Sequence, residues 1–211
     1  RLTILADVAQ IVSQSHDLDE TLSNVVDLVA KRLDTDVCSI YLTDPSLTSL
    51  MLCASKGLSE KSIGRVRIRF DEGLVGAAAK DQQPIATAHA QEHPKYRYFP
   101  ETGEEQFQSL MAVPLVVRDS TIGVLVVQTR EPREYDASDI ELLRTCAQLI
   151  APVIMNARLL SLVAAGEDVQ KEVISKLALT GVVPLPTAQP TPVRAASIEQ
   201  RGIAASRGIA I

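Results

Sequence analysis

Apolar positions at the start of the chain fall at helical spacing. Leu2, Leu5, Val8, Ala9 and Val12 make one stripe, and Leu22, Val25, Val26, Val29 and Leu33 make a second. Asp17 and Glu20 between the stripes fit an N-terminal cap, so two helices are predicted. From Val37 the period shortens to two: Cys38, Ile40 and Leu42 alternate with Val37, Ser39 and Tyr41. The Asp44-Pro45-Ser46 turn and a second alternating run from Ser49 to Ala54 complete an antiparallel hairpin. A third alternation sets Val66, Ile68 and Phe70 against Arg65, Arg67 and Arg69, whose face is expected to be solvated. It ends at Asp71-Glu72-Gly73, where a short Ala-rich helix begins, and Pro84 to Thr87 reads as a brief strand. Leu110 to Val117 and Thr121 to Thr129 are the most apolar strands and are predicted to form the centre of the sheet. Between them and the short strand, residues 88–106 are polar, broken by Pro94, Pro100 and Gly103, and carry Tyr96, Tyr98 and Phe99. Loops of that length in compact domains are functional or mobile.

A helix is predicted behind Asp136. Ile140, Leu143, Ala147, Ile150, Ile154 and Ala157 follow a 3-4-3-4-3 spacing, the seam of a coiled coil or bundle. The side chains of Ile140, Leu143, Ala147, Ile150 and Ile154 are therefore expected at a parallel homodimer interface. Pro152 removes a backbone donor inside this pattern, so a kink is expected there, while Gly166 weakens the helix and Gly181 ends it. Four prolines between Pro184 and Pro192 describe an extended linker.

The chain has 211 residues, with 21 Lys and Arg against 26 Asp and Glu, for a net charge of −5. That balance disfavours a surface that neutralises phosphates, so no nucleic-acid partner is expected. The cysteines, Cys38, Cys53 and Cys146, are odd in number and lack Cys-x-x-Cys spacing, which excludes a disulfide framework or zinc cage and suggests reduced, buried thiols in the cytoplasm. No metal or cofactor is implied. Uninterrupted apolar runs fall short of the roughly 18 to 20 residues of a membrane span, and no secretory leader pattern opens the chain. It begins at Arg1 without Met and stops at Ile211 inside a second motif, so a longer parent protein is expected.

Three phrases taken in order carry a resemblance: Glu72-Gly73-Leu74-Val75-Gly76, then Ser109 to Leu115, then Ala147-Gln148-Leu149-Ile150-Ala151-Pro152 leading to Asn156-Ala157-Arg158-Leu159. Over about Leu2 to Leu160 the sequence resembles a GAF domain. The resemblance implies an α+β fold: a six-stranded antiparallel sheet flanked by helices, a ligand cavity on one face and a dimer seam on the other. At the far end, Arg201-Gly202-Ile203-Ala204-Ala205-Ser206-Arg207-Gly208-Ile209-Ala210-Ile211 resembles the opening strand of the Enzyme I family of phosphoenolpyruvate-protein phosphotransferases, with Arg207 where that family has Pro. The expected organisation is therefore a sensory domain over 1–160, a helical and Pro-rich linker over 161–200, and a truncated Enzyme I start over 201–211. That order is similar to nitrogen-branch Enzyme I. The resemblance implies an input module that senses glutamine or 2-oxoglutarate and governs its own C-terminal catalytic domains.

No catalytic residue is expected in the chain itself. Phosphotransfer in the resembled family uses a Thr-Ser-His acceptor, and His16, His89 and His93 lack those neighbours. Gly73 and Gly76 are not followed by Lys-Ser/Thr, so they read as a tight turn into a helix rather than a phosphate loop. Candidate ligand-binding residues are Arg97, Tyr96, Tyr98, Gly73, Leu74 and Ser109. Arg97 combines a guanidinium fork with aromatic neighbours able to close over a small carboxylate. Arg97→Ala is therefore expected to weaken binding by about 2 to 5 kcal/mol, the cost of leaving a buried charge unpaired. Two other readings stay open at this point: a structural dimerisation module without ligand, and a thiol-dependent methionine sulfoxide reductase.

Overall fold

A computed structural model describes residues 2–14, 17–44 and 48–179, with side chains described for 3–14, 17–44 and 48–159. His16, the Pro45-Ser46 turn, Gly181, the Pro-rich stretch and the 201–211 motif lie outside the described residues. The chain divides into two units, Arg1–Ala164 and Ala165–Ile211; of the second, 165–179 are described, as helix.

Two helices open the first unit, α1 (Leu2–Gln14) and α2 (Leu18–Leu33). The predicted cap is present: the Asp17 carboxylate accepts from the backbone N–H groups of Asp19 and Glu20 and offsets the unpaired donors of the first turn of α2. Asp34 closes α2 in the left-handed region at φ 51°. The strands are β1 (Val37–Thr43), β2 (Ser49–Lys56), β3 (Arg67–Arg69), β4 (Ile85–Thr87), β5 (Ser109–Val117) and β6 (Ser120–Thr129), with α3 (Gly73–Asp81) between β3 and β4. The long helix α4 is Ala137–Leu179 and contains Pro152 and Gly166. All paired strands are antiparallel, in the order β3-β2-β1-β6-β5-β4.

The centre of the sheet is β1 and β6, which corrects the expectation that β5 and β6 share it. β5 is bordered on its outer side only by the three residues of β4. Its apolar run reflects cover on both faces, not distance from the edge. On one face α1, α2 and α4 cover a core that includes Ile4, Val8, Leu22, Ile40, Met111 and Leu125. On the other, α3 and the 88–106 segment cover a second core built on Tyr41, Leu52, Ile68, Leu74, Phe107 and Val126. Burial of these two apolar faces, at about 25 cal/mol per Å² removed from water, is the main force holding the layers together.

The seam expected at a dimer interface is instead inside the chain. Leu143, Ala147, Ile150 and Ile154 are at most 1% exposed and belong to the first core, and Ile140 packs partly against it. A helix lying on a sheet needs the same apolar stripe as a helix paired with a second copy, so spacing alone does not separate the two. Through residue 159, α4 is also long and apolar enough to cross a membrane by length and composition, with a third of that stretch buried.

Gly76 fixes how closely α3 approaches the sheet. A Cβ there would lie 2.2 Å from the Arg69 carbonyl oxygen, a backbone atom that cannot rotate away. The glycine thus makes the turn from β3 into α3 possible, together with Gly73 at φ +67°. Arg65, Arg67 and Arg69 are exposed, while Val66 and Ile68 enter the second core, as the alternation predicts.

Candidate functional site

The segment over α3 and the outer half of the sheet is an ordered structure with its own hydrogen-bond scaffold. Short 3-10 turns at Ala90–Glu92 and Glu104–Gln106 bracket it. Ala90 N–H donates to the Gln108 carbonyl, and the Gln91 side chain donates to the Glu105 carbonyl at 2.7 Å. Thr102 is the knot. Its hydroxyl donates to the Phe99 carbonyl at 2.7 Å and accepts from Glu104 N–H, while its carbonyl accepts from Ser59 N–H at 3.0 Å. Thr102 is itself buried, so each of these bonds forms where water does not compete. The segment is thereby fastened to the β2–β3 connection.

Phe99, Phe107 and Tyr96 turn inward against the second core. They bring with them the Glu104 carboxylate, which accepts from Phe99 N–H at 3.2 Å and forms no ion pair among the described residues. Burial, and secondarily the neighbouring Glu105, pushes the Glu104 carboxyl up to about 7, against the lowering effect of the Phe99 N–H. Its charge in turn helps hold the Tyr41 and Tyr96 phenols above their ordinary value, although burial is the larger cause for both. Tyr41 is buried in β1 on this face.

The six candidate ligand residues divide. Gly73, Leu74, Tyr96 and Arg97 come together where the segment crosses the start of α3; Arg97 Cβ and the Phe99 ring lie 3.6 Å from where a Cβ on Gly73 would sit. Arg97 is 63% exposed and its guanidinium is 2.9 Å from the Glu72 carboxylate. Because the guanidinium faces solvent, although the Glu72 side chain is only 16% exposed, the several-kcal/mol loss expected for a buried Arg97 does not apply; a solvent-screened pair contributes about 0 to 1 kcal/mol. Tyr98 points outward, its hydroxyl donating to Glu105 at 3.2 Å.

Ser109 is on the wrong face. In β5 the odd-numbered Met111, Val113 and Leu115 face the α1, α2 and α4 core, and Ser109 continues that row. Its hydroxyl is shared between Thr129 and Tyr135, the latter at 2.8 Å, and Thr129 in turn donates to the Glu131 carbonyl. This buried chain ties the start of β5 to the segment before α4 and leaves Ser109 remote from the 88–106 side.

The thiols also lie across the sheet from that segment. Cys38 and Cys146 are buried in the first core and Cys53 packs against it. Burial raises all three, Cys146 to about 11, so they are protonated at neutral pH and poor nucleophiles. Two cavities, of about 330 and 450 Å³, lie near the C-terminal end of α2 and share Arg133. That arginine is committed to the Leu33 and Asp34 carbonyls and to the Tyr135 ring, and neither cavity includes a residue of 88–106. Among the described residues no group of three or more His, Cys, Asp or Glu is arranged to hold a metal ion.

Glu104 was missed by sequence reasoning. In a polar run it reads as solvated, and the only signal of its burial is its position between Phe99 and Phe107.

A sheet with three helices on one face, and a short helix plus a pinned segment on the other, can now be set beside known proteins. The family model described as a GAF domain matches residues 15–155. The chain belongs to the GAF domain family. It is 37% identical over 161 residues to the phosphoenolpyruvate-dependent phosphotransferase system protein of Escherichia coli (strain K12), covering 76% of this chain and 22% of that protein. It is 28% identical to the Nif-specific regulatory protein of Azospirillum lipoferum, covering 72% and 25%. Among solved structures, the GAF domain from a phosphoenolpyruvate-protein phosphotransferase of Coxiella burnetii superposes with a TM-score of 0.72 at 31% identity, covering 76% of this chain and 95% of that one. The chain spans about a fifth to a quarter of the length of these curated relatives. As a GAF domain it is thus similar to those of phosphoenolpyruvate-protein phosphotransferases, as the sequence resemblance implied.

Proposed function

We propose that this GAF domain is a non-catalytic sensory domain controlling a cytoplasmic phosphoenolpyruvate-protein phosphotransferase in nitrogen-related signalling. A small polar metabolite of the glutamine or 2-oxoglutarate class binds between the sheet and the 88–106 segment, beside Tyr96, Gly73 and Leu74, with Arg97 at the rim. Occupancy is transmitted through α4 to the protein's own C-terminal catalytic domains. The observation that carries this reading is the acid under the segment: Glu104, partly buried, is held by Phe99 N–H among the aromatic side chains that pack on the second core, forms no ion pair among the described residues, and is pushed up by burial to about 7. The likeness to phosphotransferase GAF domains and to a nitrogen-fixation regulator supports the same role.

The domain acts as a homodimer, through the outer sides of α1 and α4 rather than the buried seam. Leu159, 53% exposed, and the partly exposed Val153 mark that outer side. A ligand-free structural module is the second reading, favoured by the packing of Phe99, Phe107 and Tyr96 into the core. Calorimetric titration of the chain with L-glutamine and with 2-oxoglutarate separates the two. Saturable heat from at least one supports the sensory role, and silence from both supports the structural module.

A further inference from the structure

The larger of the two cavities near the C-terminal end of α2, about 450 Å³, takes its walls from two chain connections. Asp34, Thr35 and Asp36 come from the turn that joins α2 to β1; Thr129, Glu131 and Arg133 come from the end of β6 and the run into α4. Both walls are fixed by backbone hydrogen bonds. Thr35 N–H donates back to the Ala30 carbonyl at 3.0 Å as Asp34 closes the helix in the left-handed region. Asp36 ties one wall to the other, since its carboxylate accepts from the Arg130 backbone N–H at 2.8 Å and from the Arg130 guanidinium at 3.2 Å.

The polar groups of this cavity are unevenly satisfied. Thr129 is committed, its hydroxyl donating to the Glu131 carbonyl at 2.6 Å. Arg133 donates through Nη1 to the Leu33 and Asp34 carbonyls at 2.8 and 3.3 Å, so its charge offsets the negative end of α2. Thr35 is different. It is half-buried and forms part of the wall, and its hydroxyl oxygen is the one buried side-chain oxygen or nitrogen without a hydrogen-bond partner among the described residues. A buried hydroxyl left unpaired is costly until a polar group meets it. On either side of it, Asp34 from one wall and Glu131 from the other form no ion pair among the described residues. The uncompensated charge is therefore negative, and it is divided between the two walls.

We propose that this cavity is a second ligand site, for a small aliphatic diamine held between Asp34 and Glu131 with the Thr35 hydroxyl accepting from one of its ammonium groups. Divided charge favours an organic cation over a metal ion, and among the described residues no three acids converge as metal ligands. Each ammonium brings three donors, enough to meet a carboxylate and a hydroxyl together, and the methylenes between them lie along Pro132. The site shares no residue with the 88–106 segment and does not rest on the sensory reading of that face. A ligand that joins the walls also braces the end of α2 against the run into α4, so its binding raises the stability of the domain.

The test is backbone-amide NMR of the chain titrated with 1,4-diaminobutane at about 150 mM salt, where loose surface pairing is screened. Saturable shifts are expected at 34–36 and at 129–133, with Gly73 and Tyr96 unmoved. 1-Aminobutane, which keeps the chain and one charge, is expected to bind at least about tenfold more weakly. Asp34→Asn with Glu131→Gln should lose at least about tenfold in diamine affinity, and because both residues are exposed the variant keeps its fold. Thr35→Val separates a built site from general acidity. It removes the orphaned hydroxyl and leaves a side chain of similar shape, so the free protein should melt no lower than wild type while diamine affinity falls about threefold or more. Equal binding of the two amines, unchanged affinity in the variants, shifts spread over other acidic surfaces, or no saturable shift would each overturn the proposal. Magnesium chloride producing the same shifts in place of the diamine would overturn it in favour of a metal site.

Discussion

Glu104 carries a cost to the fold that can be measured without any ligand. Its carboxyl titrates at about 7 in the folded chain against an ordinary value of 4.5, because burial disfavours its charge. Between those values the native state holds the proton more tightly than the unfolded chain. The ionised group therefore destabilises the fold fully above pH 7, and that loss is recovered as pH falls toward 4.5. Glu104→Gln is expected to raise stability by on the order of 1 to 3 kcal/mol at pH 8, with the gain vanishing near pH 4.5; urea unfolding at the two pH values checks it. A gain independent of pH would show that the carboxylate is not the source. Gly76→Ala acts in the opposite sense, since the added methyl meets the Arg69 carbonyl, and should cost about 1 to 3 kcal/mol in the same assay. At this scale the sequence was legible for Gly76 and opaque for Glu104. A glycine in a tight turn is recognisable from its neighbours, whereas the burial of a carboxylate depends on how the whole 88–106 segment folds over the sheet. Ser109 failed for a related reason: which face a strand residue takes is set by register, and register is a property of pairing.

Among the elements, α4 connects the most parts of the fold. Its inner stripe lies in the first core, and near its far side Arg158, half-buried, donates to the hydroxyl of Thr43 at 2.9 Å and to the Thr43 carbonyl at the end of β1. Arg158→Ala leaves buried Thr43 with fewer partners and should cost about 1 to 3 kcal/mol. Arg158→Lys should recover part of that at most, because one ammonium cannot reproduce a two-pronged contact. The location of the seam gives a sharper contrast. Ile150→Glu with Ile154→Glu places two charges in the core and is expected to unfold the domain, read as loss of the cooperative thermal transition. Val153→Glu with Leu159→Glu touches only the outer side and should leave a folded monomer by light scattering. A folded monomer from the first pair would restore the seam as an interface. Helices and strands were legible here because periods of 3.6 and 2 follow directly from backbone geometry. Hidden from periodicity were the bulge that pairs Ile40 with Ala54 but Tyr41 with Leu52, and the central place of β1.

For the molecule as a whole, the two faces of the sheet divide the work. The face under α1, α2 and α4 holds the thiols, Ser109 and the stripe of α4; the face under α3 and 88–106 holds the second apolar core, with Glu104 at its cover. Incubation with labelled phosphoenolpyruvate should leave the chain unlabelled, since no histidine follows Thr-Ser; retained label would place an acceptor within it. The central claim, a metabolite seated beneath the 88–106 segment, is tested most directly by backbone-amide NMR of the chain titrated with L-glutamine. The account predicts shifts concentrated at Tyr41, at Gly73 and Leu74, and from Tyr96 through Phe107, with Cys38, Ser109 and Cys146 quiet on the far face. Shifts centred instead on Thr35 and Arg133 at the end of α2, or an unchanged spectrum at saturating concentration, would contradict it.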